Sequence, residues 1–72
     1  MKPSNAEEIN EWLHRQNMSK TFVVEGTKDD FFGSHYILRE NFQNQFNKVM
    51  ETPDLEKILQ TLIIAKHVRK DW

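Results

Sequence analysis

The amino-acid sequence predicts a small single domain of the α+β class, rich in helix, in the order helix, β-hairpin, helix, helix. Three segments repeat apolar residues at spacings of three and four, which is typical of amphipathic helices. Two shorter runs alternate apolar and polar residues, as half-buried strands do. With 72 residues, 38% hydrophobic and 29% charged, the chain can form one hydrophobic core and is too short for two. We therefore expect residues 1–72 to form one domain.

The first helix is predicted from about residue 5 to residue 16. Ser4 and Glu7 fit a capping box, in which the two side chains satisfy backbone amides at the start of a helix, and Asn5 with Glu8 offers the same pattern one residue later. The side chains that share one side of this helix are Ile9, Trp12, Leu13 and Gln16. The pattern indicates an amphipathic helix with an aromatic anchor.

Two strands are predicted next, paired as a hairpin. From Lys20 the period changes to two, which places Phe22 and Val24 on one face of the first strand. The β-prone run 35–39 is predicted as the second strand, with Tyr36 and Leu38 on one face and His35, Ile37 and Arg39 on the other. The connection over 26–33 is longer than a two-residue turn, so it is either an extended loop or a hairpin end with a bulge at its last glycine.

The second half of the chain is predicted to be two helices. Asn41 is a plausible N-cap for the first of them. Its apolar side chains at helical spacing are Phe42, Phe46, Val49 and Met50. Thr52 followed by Pro53 predicts a new start, because threonine caps helices and proline suits the first helical position. The last helix carries a wide apolar stripe of Leu55, Ile58, Leu59, Leu62, Ile63, Ala65 and Val68.

The sequence carries no pattern typical of a catalytic or metal site. Without cysteine, neither a disulfide framework nor a cysteine-rich zinc site can form. The three histidines, His14, His35 and His67, lie on different elements and lack the spacing of metal ligands. No serine or threonine lies in the glycine-framed turn of a hydrolase nucleophile. We expect no enzyme activity, no cofactor, no metal and no small-molecule substrate.

The charge and hydropathy patterns bear on location and partners. No apolar run approaches the roughly 20 residues of a membrane span, and the first residues lack the apolar region of a signal peptide. We therefore expect a cytoplasmic protein with no membrane partner. The formal net charge is −1, so no overall field attracts nucleic acid.

Adjacent aromatic residues suggest a contact surface. Phe31 and Phe32 cannot point to the same side of an extended segment, so one of them is exposed unless something covers it. Exposed aromatic side chains are typical interface anchors. Ile64 in the last helix and the terminal Trp72 extend the same argument. The predicted protein-binding residues are Phe31, Phe32, Ile64 and Trp72.

These observations predict a small regulator or adaptor that binds another protein or forms a homodimer. A short frame rich in asparagine and phenylalanine also resembles phage or plasmid proteins in its composition. The alternative is a nucleic-acid-binding module similar to a transcription regulator, in which Lys66, Arg69 and Lys70 contact phosphates from the end of the last helix. The same cations also stabilise a helix C-terminus, so the charge pattern does not decide between the two.

Overall fold

The computed structural model describes residues 3–29 and 33–68 and confirms the α+β class. The elements in chain order are α1 (Ala6–Arg15), β1 (Phe22–Asp29), β2 (Gly33–Phe42), β3 (Gln45–Thr52) and α2 (Leu55–Val68). A helix comes first, a hairpin follows and a helix comes last, as predicted. The strands have 8, 10 and 8 residues, and the helices have 10 and 14 residues. The described part of the chain is therefore not rich in helix relative to sheet.

The segment predicted as the third helix instead completes β2 and forms β3. In the β2–β3 register Leu38 is opposite Met50 but Arg39 is opposite Lys48, so Val49 is an extra residue in a β-bulge. The bulge interrupts the alternation of apolar and polar residues in β3. Val49 and Met50 therefore follow Phe46 at spacings of three and four residues. This spacing imitates that of a helix, which is the physical reason for the wrong prediction.

Asn5 is the residue that caps α1, the second of the two predicted options. Its Oδ1 accepts a hydrogen bond from the Glu8 amide at 2.9 Å. The Glu8 carboxylate in turn accepts from the amide of Ser4 at 3.1 Å. The two bonds satisfy backbone donors that have no partner inside the helix, and they fix where the chain enters α1.

The end of α1 is a Schellman motif. Asn17 has a φ of 59°, in the left-handed region, and its amide donates to the carbonyl of His14 at 3.2 Å. The next amide, of Met18, donates to the carbonyl of Leu13 at 2.8 Å. Asparagine tolerates this backbone conformation better than most residues other than glycine. The reversal buries Met18 completely and directs the chain into β1.

The three strands form an antiparallel sheet in the order β1-β2-β3. Val24 of β1 lies opposite Leu38 of β2, which lies opposite Met50 of β3. Directly opposed residues share a face, and on this face the sheet packs against both helices. The core consists of Ile9, Leu13, Met18, Phe22, Val24, Leu38, Leu55, Ile58 and Leu62. The strand face predicted to be buried is confirmed by Phe22 and Val24.

Helix α2 begins two residues later than the predicted threonine cap requires. Asp54 precedes Leu55, and its Oδ1 accepts from the Glu56 amide at 2.9 Å. The Thr52 hydroxyl instead accepts from the amide of Asp54 at 3.1 Å, which turns the chain between β3 and the helix. Leu55, Ile58, Leu59 and Leu62 of the predicted apolar stripe are buried, but Ile63 and Val68 are exposed. Neither helix in the described ranges has the length and apolar character needed to cross a bilayer.

A two-residue turn joins β2 to β3. Phe42 pairs with Gln45, and the two residues between them, Gln43 and Asn44, have φ angles of 53° and 65°. Two successive residues with positive φ are characteristic of a type I′ turn, for which asparagine followed by glycine is the preferred sequence. Glutamine is disfavoured in this conformation because its Cβ meets the following carbonyl.

We expect the double substitution Gln43→Asn and Asn44→Gly to stabilise the domain. It replaces both turn residues by those that adopt the required conformation most readily, a gain of about 1 kcal/mol. For a domain of this size that is a rise in Tm of roughly 4 to 8 °C. Thermal unfolding followed by circular dichroism measures the change, and Gln43→Val is the matched control that should lower Tm. An unchanged or lower Tm in the double variant would contradict the turn assignment.

Candidate functional site

The face of the sheet opposite the core carries charged and partly exposed side chains. The strand alternation places Val23, Glu25, Ile37 and Arg39 on this face, and the Glu25 carboxylate lies 3.2 Å from Arg39 Nε. The pair is substantially exposed, and such ion pairs contribute only about 0.2 to 1 kcal/mol. This outer face therefore mixes partly buried aliphatic residues with paired charges, and neither sign of charge dominates.

One polar cluster stands out on the outer face. His35 Nε2 lies 2.6 Å from the Thr27 hydroxyl and 2.7 Å from Glu51 Oε2. Lys48 Nζ approaches the other oxygen of Glu51 at 3.3 Å. His35 and Glu51 also line an open depression of about 370 Å³ together with Thr52 and Pro53. This depression brings together an imidazole and a carboxylate, two groups that acid–base catalysis commonly uses.

The geometry of the cluster differs from that of a catalytic triad. In a triad the hydroxyl contacts one imidazole nitrogen and the carboxylate contacts the other. Here Thr27 and Glu51 both approach Nε2 of His35, so the carboxylate does not orient the ring for proton transfer from the hydroxyl. Within residues 3–29 and 33–68, no group of three or more histidine, cysteine, aspartate or glutamate side chains is placed to hold a metal ion.

The edge of β1 is occupied by a side chain of α1. Asn10 Nδ2 donates to the Val24 carbonyl at 2.8 Å, and its Oδ1 accepts from the Val24 amide at 2.9 Å. One amide group thus forms both hydrogen bonds that a neighbouring strand would otherwise make at this position. Asn10 is partly buried against the strand, and it blocks strand addition at the centre of β1.

The backbone of β3 points outward at the opposite edge of the sheet. The Asn41 amide donates to the Thr21 carbonyl at 2.7 Å, so at this position β2 is hydrogen-bonded toward the β1 side. In an antiparallel ladder, Phe46, which lies opposite Asn41, then directs its amide and carbonyl away from β2. Lys48, two residues further along, points the same way.

The register places Glu51 in the same orientation beyond the bulge. The backbone amide and carbonyl of Val24 point away from β2, so those of the next residue, Glu25, form hydrogen bonds with Ile37. The backbone groups of Ile37 therefore point toward β1 and form no hydrogen bond with Glu51, which lies opposite Ile37 on β3. In the described chain, no hydrogen bond joins the outward backbone groups of Phe46, Lys48 and Glu51 to another residue. Water or a further strand must satisfy them.

Exposed apolar side chains accompany this edge. Phe42, Phe46 and Val49 are 63, 43 and 50% exposed. Phe46 and Val49 lie on or beside the outward edge, and Phe42 lies on the other face of the same hairpin. Residues 45–49 are exposed without interruption. We define the β3 edge surface as the outward backbone of Phe46, Lys48 and Glu51 with the side chains of Phe46 and Val49.

The sequence-predicted site residues are only partly described. Ile64 is 62% exposed on α2, beside Ile63 and Val68, which are also exposed. Phe31, Phe32 and Trp72 lie outside the described residues, as do Arg69 and Lys70 of the alternative nucleic-acid site. Lys66 is exposed, and its Nζ donates to the side-chain oxygen of Gln16 at the end of α1. The described structure brings none of the predicted residues together with another.

Sequence reasoning missed the β3 edge surface. It placed Phe42, Phe46 and Val49 on the buried side of a helix, and the structure exposes all three. A signal was present in the asparagine content of 41–47, since asparagine is a poor helix former and is common in turns.

Comparison with protein-family models, with curated proteins and with solved structures gave no match. The candidate site is defined by its geometry, namely outward backbone groups on an edge strand flanked by exposed apolar side chains.

We expect Asn10→Ala to destabilise the domain and to promote aggregation. The substitution leaves the amide and carbonyl of Val24 without their partners, at a cost of about 1 to 3 kcal/mol. It also opens the β1 edge to strand addition. Urea unfolding measures the first effect, and light scattering after incubation at 37 °C measures the second.

Asn10→Asp is the matched control for this experiment. The carboxylate keeps the acceptor for the Val24 amide but sets an oxygen against the Val24 carbonyl, so this variant should also unfold at a lower urea concentration than wild type. If Asn10→Ala unfolds at the same urea concentration as wild type, the two hydrogen bonds do not contribute as described.

Proposed function

We propose that this chain is a small, non-enzymatic cytoplasmic regulator or adaptor that acts by binding another protein chain through the β3 edge surface. The observation that supports the proposal is the outward backbone of Phe46, Lys48 and Glu51. An edge strand with unpaired amides and carbonyls can receive an extended segment of a partner as an additional strand. The main chain then supplies hydrogen bonds, and neighbouring side chains supply selectivity.

The side chains next to the edge suit this mode of binding. Phe46 offers apolar area on the outer face and Val49 on the opposite face, so an added strand, whose side chains alternate between the two faces, meets an apolar side chain on each. An aromatic residue at the centre of a contact is a common binding hot spot. The charges beside it, Lys48 and Glu51, are paired with each other at 3.3 Å, so they do not select strongly for an acidic or a basic partner.

The two edges of the sheet differ in a way that favours a specific contact. Asn10 occupies the β1 edge at Val24, whereas β3 carries no equivalent side chain in the described structure. Edge strands that serve no partner are usually blocked, for example by bulges or by lysine. β3 has both features, at Val49 and Lys48, but the stretch 45–48 before the bulge keeps a regular ladder geometry. Binding is therefore proposed at this stretch.

A pair of substitutions at one position tests the proposal. Lys48→Pro removes the outward amide and leaves the ladder to β2 intact, because proline is tolerated where the strand amide faces solvent. Lys48→Ala removes the same side chain and keeps the amide. Each variant of the full chain is immobilised and exposed to a lysate of the cells in which the protein naturally occurs. We expect Lys48→Ala to bind the same proteins as wild type, and Lys48→Pro not to bind them. Mass spectrometry of the bound fractions measures this.

Equal capture by Lys48→Pro and Lys48→Ala would show that binding uses another surface, and Ile64→Ser then tests the exposed end of α2. Circular dichroism confirms that each variant is folded before capture.

A further inference from the structure

We infer that the partner of the β3 edge surface is a second copy of this chain, paired antiparallel through β3 about a two-fold axis into a continuous six-stranded sheet. The inference rests on the proposed function and names its partner. Two copies present identical edges, so the outward amides and carbonyls of each β3 strand can form hydrogen bonds with those of the other. The exposed stretch 45–49 is the segment that becomes buried.

The occupied β1 edge determines which assembly is possible. Pairing β1 of one copy with β3 of the next would repeat without closing and produce a filament. Asn10 obstructs that pairing at the centre of β1, since the outward groups of Val24 are already hydrogen-bonded to it. Pairing of β3 against β3 meets no such obstruction in the described structure, and this contact closes after two copies. The blocked edge thus favours a dimer over a fibre.

The outward backbone groups limit the register of the two strands. Phe46 and Lys48 are outward, so they must face outward residues of the other copy. Lys48 opposite Lys48 would place like charges together, which is destabilising. Phe46 opposite Phe46 would place Lys48 against Asn44, which lies in the turn with a φ of 65°. Within the regular stretch 45–48 that precedes the bulge, the remaining register sets Phe46 of each copy opposite Lys48 of the other.

This register is electrostatically and sterically complementary. The Lys48 side chain lies beside the Phe46 ring of the other copy, where a cation and an aromatic face attract. The two Phe46 rings are diagonal neighbours within reach of each other. Asn47 lies opposite Asn47 of the other copy, at the two-fold axis. Each chain carries a net charge of only −1, so long-range repulsion between the copies is small.

The area of the contact predicts that the dimer is weak. About five residues of each strand take part, so the buried area falls short of the roughly 1,200 Å² that stable interfaces reach. Association is therefore expected at high concentration, and experiments must cover concentrations up to on the order of 1 mM.

The absence of cysteine from the sequence allows a direct test of the register. In the inferred dimer Asn47 pairs with Asn47 at a non-hydrogen-bonded position, where the Cα atoms lie about 4.5 Å apart, close enough for a disulfide. Gln45→Cys is the matched control. Gln45 is exposed on the same strand and face as Asn47, but in the inferred dimer it is offset by about four residues, roughly 14 Å, from Gln45 of the other copy. We expect Asn47→Cys to form the disulfide dimer at least about tenfold faster than Gln45→Cys in a glutathione buffer.

Sedimentation of the cysteine-free chain provides the second measurement. We expect wild type and Lys48→Ala to shift toward twice the monomer mass as concentration rises, with Lys48→Ala the weaker of the two, and Lys48→Pro to stay monomeric. Monomeric wild type at the highest concentration, with equal cross-linking of the two cysteine variants, would overturn the inference. A dimer that persists in Lys48→Pro would overturn it as well.

The two proposals can fail separately. A monomeric chain that still captures other proteins, with capture lost in Lys48→Pro, refutes self-pairing and leaves the proposed function standing. If Lys48→Pro alters neither capture nor mass, both are refuted.

Discussion

Two helices can cover only one face of the sheet, and the rest of the structure follows from this constraint. Leu38, on the central strand, is completely buried, and Val24 beside it is nearly so. Alternation then places their neighbours in sequence on the uncovered face, where Glu25 and Arg39 pair with each other. A sheet of three strands also has two edges, and both require a solution for their backbone groups. Asn10 satisfies the outward groups at the centre of the β1 edge, and outward groups remain on β3.

The elements with a strong local signal were predicted well. The cap of α1 at Asn5 was one of two options, and the burial of Phe22 and Val24 follows from a period of two that no irregularity interrupts. The stripe of α2 was also predicted, because seven apolar residues at helical spacing leave little choice. The β2–β3 hairpin was not predicted. Its extra residue at Val49 changes the period, and only pairing with another strand reveals that change.

The candidate site could not have been derived from sequence for a different reason. The outward orientation of the Phe46 backbone depends on the hydrogen bond between Asn41 and Thr21, and thus on the register of all three strands. The block at Val24 depends on how Asn10 of α1 lies across β1, which is a tertiary contact between residues 14 positions apart. Composition indicated a surplus of apolar surface, but its location required the fold.

The far end of the β2–β3 hairpin has a consequence for local stability. Beyond the pairing of Phe22 with Glu40, the ladder is two strands wide, and residues 42–49 contribute no member to the core. Those of their amides that point toward the paired strand are therefore protected by hairpin hydrogen bonds alone, while the amide of Leu38 lies in the buried centre of the sheet. Segments of this kind separate from the body at a lower free energy than global unfolding requires. We therefore expect the hairpin end to open as its own cooperative unit, with amides that exchange with deuterium ahead of those in the centre of the sheet.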